Sequence, residues 1–129
     1  MYKTSISLST KFVFAVCSNV SFVSCIFRHL GGVYAIGAHN ASQSIVVSNC
    51  TFTDCSGGAV KLGNAGERGA PSPDPALDPA LQDRGYLVSD NYIHDMPVEY
   101  SGANPIFIAY TADTTLSYNT IEHSSCTIH

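Results

Sequence analysis

The sequence predicts an all-β solenoid: a right-handed parallel β-helix of about four coils with one long Pro-rich excursion loop. Three observations predict it. A six-residue phrase recurs as FVSCIF from Phe22, VSNCTF from Val47, VSDNYI from Val88 and LSYNTI from Leu116. Recurrence at this scale is the mark of stacked structural units. The last letter of the phrase falls at Phe27, Phe52, Ile93 and Ile121, spaced by 25, 41 and 28 residues, so two spacings are one coil and the third is a coil plus an insertion. Within each copy the apolar residues alternate, as at Ile45 and Val47 and then Cys50 and Phe52. That is strand periodicity broken by a short bend, and no stretch sustains a helical period.

Coils of three short strands stack at the strand separation of ~4.8 Å, so residues that align in sequence become neighbours in space. One column holds Cys25, Cys50, Asn91 and Asn119. The two amides are expected to bond along the column and to the turn backbone, with the two cysteines filling the same inward slot as small hydrophobes.

Residues 1–17 read as irregular chain or a partial coil, and 18–129 as the β-helix. The apolar run from Phe12 to Cys17 is short for a signal sequence and lacks a small-x-small cleavage site, so no signal peptide is evident. Coil one runs from about Ser18 to Asn40, with Gly31 and Gly32 marking a turn before a strand at Val33 to Gly37. Coil two, Ala41 to Gly63, repeats the device with Gly57 and Gly58 before Ala59 to Leu62. Residues 64–85 form the insertion loop, because Pro71, Pro73, Pro75 and Pro79 cannot donate hydrogen bonds to a sheet. Coil three, Tyr86 to Ala112, carries a smaller insertion, MPVEYSGANPIF, before a strand at Ile106 to Tyr110. Coil four opens at Asp113, and its next strand is expected at Cys126 to Ile128, so the chain reads as a fragment whose remaining coils belong to a longer protein.

The 129 residues make one ordinary domain, and 45% hydrophobic against 12% charged residues suits strands buried on one face. A net charge of −4 supplies no basic field, which argues against nucleic-acid binding. No run approaches the ~20 apolar residues of a membrane span. Five cysteines leave at least one outside any intrachain disulfide. Stacked Cys25 and Cys50 have parallel Cβ vectors that fit a disulfide poorly, so a thiol ladder is expected. Cys50 and Cys55 lack a second ligand pair at zinc spacing, and no metal site is expected. The Asn-x-Ser/Thr sites at Asn19, Asn40 and Asn49 read as polar turn residues.

The phrases SNCTFTDCSGGAVKLG and DNYIHDMPVEYSGANPIFIAYTADTTLSYNTIEHS resemble right-handed parallel β-helix proteins of the pectate-lyase-like superfamily, and within it secreted β-helical glycoside hydrolases. The resemblance implies a secreted, carbohydrate-active protein, a polysaccharide or glycan partner, no cofactor, and hydrolysis of a plant or microbial polysaccharide by paired carboxylates. A non-enzymatic glycan-binding or surface-scaffold β-helix is the alternative. Polysaccharide lysis ranks third: it needs a base and Ca²⁺ on oxygen ligands, and none of the six Lys and Arg residues sits among clustered acids at repeat spacing.

Two positions past the Phe/Ile column stand His29, Asp54, Asp95 and His123, which places Asp54 and Asp95 on adjacent coils. Carboxylates about 5 Å apart suit a retaining glycosidase and a pair bridging two coil steps, about 9.6 Å apart, an inverting one, and in either case like-charge proximity separates an acid from a base. The candidate catalytic residues are Asp95, Asp54, Glu99 and Asp113. His94, Tyr100, Tyr110 and His123 are the candidate substrate contacts, and His94, Asp95, Glu99, Tyr100, Tyr110 and Asp113 gather into one cluster if the two insertions overhang the same face. The structural reading beside this one is that Asp and His at a bend serve the local backbone.

Overall fold

The computed structural model describes residues 12–15, 17–63, 82–100 and 102–124. Among them every regular element is a strand: β1 (Phe12–Ala15), β2 (Ser18–Val23), β3 (Ile26–Arg28), β4 (Tyr34–His39), β5 (Gln43–Ser48), β6 (Thr51–Thr53), β7 (Gly58–Gly63), β8 (Leu87–Ser89), β9 (Tyr92–His94), β10 (Ile106–Ala109), β11 (Thr115–Ser117) and β12 (Thr120–Glu122). They form three four-stranded sheets, ordered β1-β4-β7-β10, β2-β5-β8-β11 and β3-β6-β9-β12, here called sheets 1, 2 and 3. Every pairing is parallel. Each winding therefore visits sheet 2, sheet 3 and sheet 1 in turn and lies on the winding before it, an arrangement compatible with a parallel β-helix. No helix among the described residues is long and apolar enough to cross a membrane.

The expected internal file exists. Phe27 pairs with Phe52, Phe52 with Ile93, and Ile93 with Ile121. The rings of Phe27 and Phe52 stack with centroids 4.8 Å apart and planes 7° from parallel. Sheet 2 supplies a second file, Phe22, Val47, Val88 and Leu116, and sheet 1 a third, Ile36, Val60 and Ile106. Val47, Phe52, Val60, Val88 and Ile93 are essentially inaccessible to solvent. At about 1.5–3 kcal/mol per fully buried side chain of this size, these files are the main favourable term. β-Branched residues dominate them because they suit a pleated, closely stacked surface.

The polar column also forms. Asn91 Nδ2 donates to Val47 O (2.9 Å) and to Asn119 Oδ1 (2.9 Å), Asn91 Oδ1 accepts from Cys50 N (2.9 Å), and Asn119 Nδ2 donates to Val88 O (2.9 Å). Each amide thus closes bonds that the bend would leave open. Cys25, Cys50 and Cys55 are thiols, and burial pushes those of Cys50 and Cys55 up, which keeps them protonated and unreactive.

The bends have a common backbone solution. The residue after each sheet 2 strand is left-handed, at Ser24, Asn49, Asp90 and Tyr118 (φ 56°, 54°, 55° and 54°). So is the residue after each sheet 3 strand, at His29, Asp54, Asp95 and His123 (φ 55°, 50°, 53° and 48°). Gly57 and Gly58 are required for a different reason than a turn. A Cβ on Gly57 would collide with Val33 O, and one on Gly58 with Asn104 O, so successive windings approach closely there.

The predicted insertion loop covers residues 64–85, of which 64–81 lie outside the described residues. Asp83 and Arg84 have already rejoined the wall: Ala112 N donates to Asp83 O (3.0 Å), and Arg84 forms isolated parallel bridges with Gln43 and with Ala112. The smaller insertion contains a cis Met96–Pro97 peptide. The strand expected at Cys126 to Ile128 lies outside the described residues.

Candidate functional site

The corner after sheet 3 is built by backbone geometry before it is built by chemistry. Left-handed φ costs most L-residues roughly 1–2 kcal/mol, and Asp tolerates it through local hydrogen bonding. Asp54 and Asp95 sit there one winding apart, directly after the paired residues Thr53 and His94, as the sequence register requires.

Their carboxylates point to different partners. Asp54 Oδ2 lies 2.6 Å from Nδ1 of His29, one winding before it. Asp95 Oδ2 lies 2.7 Å from Nδ1 of its neighbour His94, and Oδ1 lies 3.2 Å from Nδ1 of His123, one winding after it. Thr53 Oγ1 is 3.4 Å from the same His94 nitrogen. The His94 hydrogen bond, helped by the charges of His123 and His94, holds the Asp95 carboxyl below the usual aspartate range. Asp95 is thus an ionised acceptor at neutral pH, suited to a base or a hydroxyl ligand and unsuited to a general acid, which needs the opposite shift.

Strand alternation adds a feature that the sequence reading missed. Ile93 points inward, so Tyr92 and His94 flank it on the outer face of sheet 3. Their rings stack with centroids 4.4 Å apart and planes 23° from parallel. Tyr92 is 39% exposed, and its hydroxyl donates to Glu122 Oε2 (3.1 Å), which raises the phenol's pKa. The result is an open aromatic platform edged by two carboxylates, Asp95 and Glu122. The alternation of Tyr92, Ile93 and His94 was the available signal for Tyr92, and Glu122 stands opposite His94 in the paired register.

Glu99 and Tyr100 follow on the same winding. Both backbone amides donate to Ser56 O (3.1 and 2.8 Å), which lays this loop against the residue two past Asp54. Glu99 is exposed and Tyr100 half-buried. Tyr110 and Asp113 belong elsewhere, at the corner between sheets 1 and 2. There Tyr110 is 71% exposed, and Arg84 donates to the Asp113 carboxylate. The eight candidates therefore divide. His94, Asp95 and His123 form one contact group, Asp54 is beside them in the column, Glu99 and Tyr100 approach from the following loop, and Tyr110 and Asp113 follow a different sheet. Among the described residues no group of three His, Cys, Asp or Glu side chains is arranged to hold a metal ion.

Comparison with protein-family models, with curated proteins and with solved structures finds no match.

Proposed function

We propose that this chain is a right-handed parallel β-helix of the pectate-lyase-like kind, exported from the cell, and that the outer face of sheet 3 binds carbohydrate. The observation that carries the reading is the stacked Tyr92–His94 pair, open to solvent and edged by the carboxylates of Asp95 and Glu122. Aromatic faces cover the apolar face of a sugar ring while carboxylates accept from its hydroxyls, which is the usual division of labour in a carbohydrate site. Binding without turnover is favoured over hydrolysis because Asp54 and Asp95 are each held by histidines and turn away from one another along the column.

Glycoside hydrolysis is the second reading, favoured by the placement of Asp54 and Asp95 on successive windings at one corner. Calorimetric titration with a panel of neutral and acidic polysaccharides tests the first reading. Tyr92→Ala is expected to weaken binding at least about tenfold, the loss of one stacking contact of ~1.4 kcal/mol, in a protein whose far-UV circular dichroism shows the strands retained. Absence of binding across the panel overturns it. Reducing-sugar release that Asp95→Asn abolishes would establish the second reading instead.

A further inference from the structure

A second carboxyl, on a different corner, has hydrogen-bond partners that do not balance if it is charged. Asp83 precedes sheet 2 at the point where the chain rejoins the wall, and it is wholly buried with Ser42 and Tyr86. Ser42 N donates to Asp83 Oδ1 (3.0 Å), and Tyr86 Oη lies 2.9 Å from Asp83 Oδ1 and 2.9 Å from Ser42 O. Asp83 Oδ2 has no hydrogen-bond partner among the described residues.

The tyrosine hydroxyl has one hydrogen and two acceptors at hydrogen-bond distance, and the Ser42 carbonyl can donate nothing. With an ionised Asp83, one of those contacts is oxygen against oxygen with no proton between, and a charged Oδ2 is left dry. A single added proton removes both faults. Oδ1–H then donates to Tyr86 Oη, Tyr86 O–H donates to Ser42 O, and Oδ2 becomes an uncharged carbonyl oxygen, far cheaper to bury than a charge.

We infer that Asp83 is held as an uncharged carboxylic acid at neutral pH, and that its proton latches the chain where it rejoins the wall after the Pro-rich segment. The surrounding charges do not reverse this. Burial pushes the carboxyl up and outweighs the hydrogen bonds from Tyr86 and the Ser42 amide, the charge of His39 and the Ala41 amide, all of which pull it toward ionisation. Arg84, the adjacent cation, is turned to Asp113. Cys17 meets this corner through its backbone N–H, which faces Ser42 Oγ (3.5 Å). Burial and the neighbouring Asp83 also raise the Tyr86 phenol, so the tyrosine remains a donor.

A folded-state carboxyl raised above its unfolded value contributes stability that is complete below the ordinary aspartate range and is lost as pH rises through the folded value. The decisive measurement is ¹³C NMR of the Asp83 carboxyl carbon in the full chain across pH. At about pH 7, roughly three units above an ordinary aspartate, the expected signal is that of the acid, and a carboxylate signal overturns the inference. Asp83→Asn supplies an uncharged partner at every pH. The wild-type melting temperature is expected to fall relative to this variant as pH rises from about 4 to 7, and parallel profiles overturn the inference.

Discussion

Two corners of the same winding treat a carboxyl in opposite ways. Asp95 stands in water at the end of sheet 3 between two histidines, which favour its charge. Asp83 is sealed before sheet 2 with Tyr86 and Ser42, and its environment disfavours charge. The difference arises from what each neighbour can donate. Histidine nitrogens reach both oxygens of Asp95, whereas Asp83 meets the backbone amides of Ser42 and Ala41 and one shared hydroxyl, and its Oδ2 accepts no hydrogen bond among the described residues. The stacked parallel windings repeat their backbone at these corners, so the identity of the next winding's residue decides which of these environments a corner provides.

The largest effect expected from breaking the buried side of this comparison is at Asn91. Replacing it by Ala leaves Cys50 N–H and Val47 O unpaired in the core, a loss of about 2–4 kcal/mol measured by urea unfolding. Tyr86→Phe keeps the packing but removes the hydroxyl between Asp83 and Ser42. About 1–2 kcal/mol of stability is expected to go, with the loss read from the same denaturation curves.

The exposed corner is expected to respond less, and to backbone before charge. Asp54→Ala should cost about 1 kcal/mol through left-handed strain, while Asp54→Asn, which tolerates that conformation, should stay within about 0.5 kcal/mol. Equal losses in the two variants would show that the His29 contact outweighs the strain. The smallest effect is the acid limb. Because Asp95 is lowered on folding, its contribution is present above the unfolded aspartate range and is lost as pH falls through the folded value. Asp95→Asn should therefore flatten the drop in melting temperature on the acid side, as Asp83→Asn flattens the drop on the opposite limb, where pH rises.

Legibility followed the repeat. Phe27, Phe52, Ile93 and Ile121 could be placed in one file because aligned letters in stacked windings must touch, and the Asn91–Asn119 bonds followed from the same alignment. The column of Asp54 and Asp95 was readable for that reason, but the direction of each carboxylate was not. It depends on which histidine stands one winding away. Tyr110 and Asp113 were grouped with Asp95 on the premise that two insertions overhang one face, and the circuit of the chain through sheet 1 places them at another corner. Asp83 gave no signal at all, because it follows a Pro-rich stretch that has no counterpart in the other windings, and Ser42, its partner, lies 41 residues away.

The two left-handed residues that bracket each sheet 3 strand are always five positions apart, at 24 and 29, 49 and 54, 90 and 95, and 118 and 123. This bracket acts as a fixed gauge that admits His, Ser, Tyr, Asn or Asp at its ends but no change in length, whereas added sequence accumulates after Gly63 and after Asp95. Foreign peptides grafted between Gly63 and Asp83 should be carried silently. One extra residue between Asn49 and Asp54 would turn Phe52 outward and unthread the stack.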